Sequence, residues 1–241
     1  MQSFGRLADP GLRPSANLIS GHRVKLYSYF RSSASYRVRI ALNLKGLAYE
    51  TIPVHLLKNG GEQLTSEYRK LNPDGLVPAF VDELADNSVA LTQSLAIIEY
   101  LDETHPLPLL LPQSPLDKAF VRSIALSIAC DIHPINNLRV LRFLVHDLKV
   151  SEDDKNAWYR HWCEQGLAAI EQTLSTDKRV GRFCYGDAPT LADCCLIPQI
   201  ANAQRLNSDL SKMPTVMRIH EACMALDAFV NASPAKQPDA E

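Results

Sequence analysis

The sequence predicts an α/β module over residues 23–105 followed by an all-helical domain over residues 116–241. Two patterns and one composition predict it. Between 24 and 105, alternating and helically spaced apolar runs succeed each other as βαβ and then ββα. After 116 every apolar pattern is helical. Residues 106–115 hold four prolines among leucines, the composition of a stiff linker.

Each element has its own signal. Val24-Lys25-Leu26-Tyr27-Ser28-Tyr29-Phe30 alternates and reads as a strand. From about Ser33 the residues Ile40, Ala41 and Leu44 take helical spacing, and Lys45-Gly46 closes that helix with a glycine just outside it. Residues 49–56, β-branched and aromatic, form a second strand, and Pro53, lacking an N–H, confines it to a sheet edge. Strand, helix and strand in that order imply a right-handed crossover and a parallel pair. Asn59-Gly60-Gly61 is a turn and 66–71 a short helix. Pro78, at the start of a strand over 77–81, takes an edge or special-turn position, with a cis bond to Val77 open to it. After a polar tip at 82–88, Val89 and Leu91 resume a strand. The next helix starts at Gln93-Ser94, carries Leu95, Ile98 and Leu101 on one face, and ends near His105-Pro106.

In the helical part, 117–148 is one long helix broken near Cys130-Asp131-Ile132-His133-Pro134, and 151–174 is a second. Thr190-Leu191-Ala192-Asp193 is close to a capping box and reads as a folding-stability cap. A last helix covers 214–230, with a polar tail at 233–241.

Composition limits the function. A chain of 241 residues, 46% hydrophobic and 22% charged, has the makings of ordinary globular cores. The net charge of −2 leaves no electrostatic footprint for nucleic acid or an anionic membrane. No apolar run approaches the roughly 18 residues of a membrane span. Residues 1–22 read as a loose extension without a secretory core, so a cytoplasmic protein is expected. Cys130, Cys163, Cys184, Cys194, Cys195 and Cys223 form no Cys-x-x-Cys pair and match no zinc spacing. They read as buried free thiols, with neither metal nor disulfide scaffolding.

Ser32, Ser33 and Ser35 sit where a strand hands over to a helix. The first N–H groups of a helix have no internal partner and carry partial positive charge, so that end stabilises anions. Arg37 and Arg39 add charge just inside, Arg39 being expected solvated or ion-paired. The same turn also fits an ordinary serine cap without chemistry. Gln93-Ser94 opens a second helix in the same way, and the two starts together suit a ligand with more than one carboxylate.

Taken together, these stretches resemble the zeta class of glutathione transferases, the maleylacetoacetate isomerases. The matching residues are Tyr27-Ser28-Tyr29-Phe30-Arg31-Ser32-Ser33, Arg37-Val38-Arg39-Ile40-Ala41-Leu42, Asn72-Pro73 with Val77-Pro78, and Gln93-Ser94-Leu95-Ala96-Ile97-Ile98-Glu99-Tyr100-Leu101. Pro198-Gln199-Ile200-Ala201-Asn202-Ala203 continues the match, which covers about 24–240. Cys130-Asp131-Ile132-His133-Pro134 and Asn137-Leu138-Arg139-Val140-Leu141 resemble the bacterial members. The resemblance implies a thioredoxin-like N-terminal domain holding glutathione and an all-α C-terminal domain covering the second substrate, the glutathione transferase fold. It implies a homodimer too. Ser32 is then the hydroxyl next to the glutathione sulfur, within a loop and helix start formed by Ser33, Ala34, Ser35, Tyr36 and Arg37. Ser32, Ser33 and Arg37 are the catalytic candidates. Val77, beside a cis Pro78, is implied to bond the cysteinyl backbone of glutathione, and Gln93 and Ser94 its γ-glutamyl end. Gln63, His133, Asn137 and Arg139 are carried to the site's edge, and Arg205 to a substrate carboxylate.

One position departs from the family pattern. The motif commonly reads Ser-Ser-Cys, and here Ala34 stands third. A protein cysteine therefore cannot be the nucleophile at that place, which weakens a thiol-transferase reading. An isomerase that borrows the thiol of glutathione remains: thiolate addition to a maleyl double bond, rotation and elimination yield the fumaryl isomer. The implied reaction is maleylacetoacetate isomerisation in the breakdown of tyrosine and phenylalanine. Maleylpyruvate isomerisation, transfer of glutathione to small α-halo acids, and glutathione binding without catalysis are the alternatives. His133, beside Pro134 at the helix break, fits backbone capping as well as substrate contact. Arg205, after an apolar helix, fits a helix-end charge as well as a carboxylate partner.

Overall fold

The computed structural model describes residues 24–83 and 89–241. The expected extension at 1–22 and residues 84–88 of the expected polar tip lie outside them. Strand β1 (Val24–Ser28) alternates buried and half-buried residues, and α1 (Ser33–Leu44) returns the chain to β2 (Glu50–Pro53), parallel to β1. Helix α2 (Ser66–Leu71) precedes the antiparallel pair β3 (Ala79–Asp82) and β4 (Ala90–Thr92), and α3 (Ser94–Thr104) follows. The sheet order is β2-β1-β3-β4, so Pro53 lies on an edge strand, where its missing N–H orphans no neighbour. The Val77–Pro78 bond is cis.

The strands are shorter than the sequence pattern. Tyr29 and Phe30 leave β1, and the Phe30 N–H donates to Asp239 Oδ2 at 3.0 Å rather than to a strand. Residues 106–114 do more than span a gap. Leu110 and Leu111 are buried, and their N–H groups donate to the two carboxylate oxygens of Asp102 at 2.8 and 3.1 Å. Lys45 pairs with the same carboxylate at 2.9 Å, tying this stretch to the end of α1.

The helical part runs α4 (Pro115–Leu126), α5 (Leu138–His146), α6 (Glu152–Thr176), α7 (Leu191–Arg205), α8 (Pro214–Met224) and α9 (Asp227–Ala232). The expected break near 130–134 is a π-helical turn, Ser127–Ile132, followed by a 3₁₀ turn, Pro134–Asn136. Pro134 cannot donate to the helix behind it, which enforces the change. The expected single helix over 214–230 is instead two, because Leu226 is extended (φ −103°, ψ 129°). That bend sends fully buried Phe229 and Ala232 against α1.

Helix α7 is the centre of the molecule. It packs on both α1 and α4, and one apolar cluster runs from Leu26, Ile40 and Phe80 to Leu191, Ile197 and Phe229. Three expectations are corrected here. Arg39 is not solvated but fully buried, donating to Ala232 O at 2.8 Å, Ser28 Oγ at 3.0 Å and Phe30 O at 3.1 Å. The face of α1 that carries it is covered by the chain around α9. Residues 233–241 are not a free polar tail but turn back onto the end of β1. Cys130 lies exposed on the π turn, while the other five cysteines are buried.

Candidate active site

Helix α1 begins at Ser32, whose extended backbone (φ −69°, ψ 117°) and side-chain oxygen cap the helix by accepting the Ser35 N–H at 3.2 Å. No acidic residue occupies the first turn, so nothing there neutralises the positive end of the helix. The hydroxyls of Ser33 and Ser35 are buried without a partner, as are Nε and Nη2 of Arg37. Buried polar groups are ordinarily satisfied, so these four atoms are exceptions, and Ser33 among their residues also lines a cavity.

Ser32 and Ser33 line a cavity of about 320 Å³ between the α/β part and the helices. Tyr29, Arg31, Leu56 and Leu57 share that wall, and the facing wall comes from His133 and Asn137, from Leu138, Leu141, Arg142 and Val145 of α5, from Lys155 and Tyr159 of α6, and from Asn202 and Arg205 of α7. Arg31, Arg142, Lys155 and Arg205 give it an excess of positive charge over Glu152, which pairs with Lys155. Arg142 also spans the cavity, its Nη2 donating to Leu56 O at 3.1 Å. Burial and the neighbouring Arg37 and Arg139 cations push His133 down to about 3, so it is neutral at physiological pH.

Cysteine is missing from the described lining of this cavity. Burial pushes the thiols of Cys163, Cys184, Cys194, Cys195 and Cys223 up, Cys195 to about 11, which leaves them protonated and inert. Among the described residues no group of His, Cys, Asp and Glu is arranged to hold a metal ion. Among the same residues, no helix is long and apolar enough to cross a membrane.

A family model described as glutathione S-transferase, N-terminal domain, matches residues 31–104. The probable maleylacetoacetate isomerase of Vibrio cholerae is 49% identical over 215 residues, 89% of this chain and 97% of that protein. The maleylpyruvate isomerase of a Ralstonia species is 46% identical over 90% of this chain and 99% of that one. The chain belongs to the zeta class of glutathione transferases, the maleylacetoacetate isomerase family. The solved maleylacetoacetate isomerase of Methylobacterium extorquens AM1, with malonate and glutathione bound, superposes with a TM-score of 0.85 at 41% identity, covering 90% of this chain and 99% of that one.

Within this zeta-class chain the expected site residues fall into three groups. Ser32, Ser33, His133, Asn137 and Arg205 meet around the cavity. Arg37 and Ser94 meet each other: Arg37 Nη1 donates to Ser94 Oγ at 3.2 Å, joining the start of α1 to the start of α3. Beside Ser94, Gln93 holds a positive φ of 67°, a backbone state that non-glycine residues seldom adopt outside constrained sites. Gln63, Val77 and Pro78 line other parts of the α/β unit, with Gln63 Oε1 buried and unpartnered. Ala34 is half-buried and Ser35 buried in the first turn. Tyr36 faces away, its hydroxyl donating to Phe229 O at 3.1 Å. Arg139 is exposed and outside the lining.

Arg31, Arg142, Lys155, Tyr159 and Asn202 also line the cavity, with no role expected from the sequence. A helical-face count finds most of them. Leu138, Leu141, Arg142 and Val145 share one face of α5, and Glu152, Lys155, Asn156 and Tyr159 share one face of α6. Arg139 is off that α5 face. Which helix faces look at each other was the missing information.

Proposed function

We propose that this chain is a glutathione-dependent cis–trans isomerase that converts maleylacetoacetate to its fumaryl isomer. The observation that carries the reading is the cavity that sets Ser32, at an unneutralised helix start beside Arg31, against Arg142, Lys155 and Arg205 with no cysteine in its described lining. The unpartnered hydroxyl of Ser33, which lines the cavity, fits a ligand rich in amides and carboxylates, as glutathione is. When bound, glutathione supplies the thiolate that adds to the activated double bond and leaves once the bond has rotated.

The residues of the chain prepare that thiol and hold the keto acid. Ser32 Oγ accepts the Ser35 N–H and keeps its own hydrogen to donate to sulfur. An ordinary thiol, with a pKa of about 8.5, is about 3% ionised at pH 7, and making thiolate the majority form takes roughly 2.7 kcal/mol. A hydrogen bond to a charged group contributes about 1.5–3 kcal/mol and a helix start about 0.3–1 kcal/mol. Ser32 and α1 together are sufficient. Arg205 and Arg31 receive the substrate carboxylates, and neutral His133 is placed to donate to the carbonyl that gathers charge during addition.

Maleylpyruvate is the second reading, favoured by the Ralstonia relative. Purified protein given either maleyl acid, with and without glutathione, is expected to form fumaryl product in the complete mixture alone. No turnover of either acid would sink the proposal, and halide release from α-halo acids without isomerisation would replace it with a transferase. The five buried free thiols support a reducing cytoplasm. A homodimer is implied by the family resemblance, and light scattering on the purified protein tests it.

A further inference from the structure

We propose that residues 232–241 form a strap that holds the two loops walling the Ser32 side of the cavity, with Asp239 and Glu241 as its positioning residues. The proposal rests on the site reading above. Three anchors carry it. Asp239 Oδ2 accepts the N–H of Phe30 at 3.0 Å, two residues ahead of Ser32. Glu241 Oε1 pairs with Lys58 and lies 3.5 Å from His55 Nε2. At the strap's root Arg39, fully buried, donates to Ala232 O, and it also holds Ser28 Oγ and Phe30 O at and just after the end of β1.

His55 Nδ1 accepts the N–H groups of Leu57 at 3.1 Å and Lys58 at 2.9 Å, so the ring proton sits on Nε2, which makes no hydrogen bond of its own among the described residues and lies 3.5 Å from Glu241 Oε1. The His55 ring also stands edge-on to Tyr29, 5.0 Å between centroids. Tyr29, Leu56 and Leu57 line the cavity directly. The strap therefore grips the residues on either side of the lining: Phe30 before Arg31 and Ser32, and His55 and Lys58 around Leu56 and Leu57. Gln237 stiffens it from within, its Nε2 donating to Asn231 O and Ser233 O, both at 2.9 Å. Among the described residues the Phe30 N–H finds no strand partner and donates instead to a carboxylate 209 residues further along the chain. The loop has a turn of its own, Ser32 N–H to Tyr29 O at 2.9 Å, but the buried Phe30 N–H is satisfied only while the distant segment is docked.

Hydrogen–deuterium exchange and glutathione titration on the full-length protein test this. Asp239→Ala and Glu241→Ala together are expected to speed exchange in peptides covering 29–33 and 55–58 while α6 and α7 stay protected. Glutathione affinity is expected to fall about tenfold, the scale of one lost charged hydrogen bond. Asp239→Asn, which keeps a carbonyl oxygen for Phe30, is expected to recover most of the affinity. Unchanged exchange in both peptides, or faster exchange spread evenly over the molecule, would overturn the strap. Should the wild type bind no glutathione, the site reading fails, and the exchange data still decide the strap.

Discussion

Helices α1 and α7 pack against each other, and their first turns treat the same unpaired N–H groups in opposite ways. At α7 the carboxylate of Asp193, at the third position after the cap, closes the turn. It accepts the Thr190 N–H at 2.7 Å and the Thr190 hydroxyl at 2.9 Å, and its other oxygen takes the Cys184 N–H at 2.9 Å. At α1 the third position is Ser35, which brings no charge, and its hydroxyl and that of Ser33 stay unpartnered. One helix start is sealed for folding and the other is left open toward a cavity. A capped helix is thus a functional candidate where its first turn lacks an acid and retains unsatisfied buried donors.

The largest way to test this contrast is at α7. Asp193→Ala strands two backbone N–H groups in the core and is expected to cost about 3 kcal/mol or more of stability, read from urea unfolding. The folded fraction should keep its turnover. At α1 the effects reverse. Ser32→Ala is expected to lower isomerase turnover on the order of 100-fold, as for loss of one donor to developing charge, while costing only about 1 kcal/mol of stability for the lost cap. A turnover within a fewfold of the wild type would remove Ser32 from its assigned role.

A smaller effect concerns pH. His133 stays neutral in the folded chain down to about pH 3, whereas in the unfolded chain it takes up a proton below about 6.5. The unfolded state then binds more protons across that window, so this contribution is complete above pH 6.5 and is lost as the pH falls toward 3. His133→Gln is expected to flatten that limb of a stability–pH curve measured by thermal unfolding. The smallest expected change tests the open helix start alone. Ala34→Cys should add one fast-reacting thiol at pH 7 to the one exposed at Cys130, while the five buried thiols stay silent to a thiol reagent in the native protein.

Much of the molecule is legible in the sequence. The crossover at 24–53, the edge position of Pro53, the cap at Thr190 with Asp193 and the break before Pro134 all rest on backbone rules that act within a few residues. Ser32 as a helix start belongs to the same class. The burial of Arg39 is not legible there for the opposite reason: its environment is made by Ala232, Ser28 and Phe30, and nothing near it in sequence announces α9 as a cover. Residues 233–241 look like a solvated tail because their composition is polar, yet their polar groups find partners on Phe30, Lys58 and His55.

The sequence by itself determined which helices start with a cap, which carry an acid beside it, and that no cysteine stands at position 34, because these depend on side chains and backbone groups within one turn. Tertiary structure alone decided that Arg142, Lys155 and Arg205 face Ser32 across one cavity, that Arg139 does not line it, and that the last ten residues brace its wall. The physical reason is that a helix face has a direction only once it has something to pack against, and a buried charge shows its partner only once the chain has closed around it.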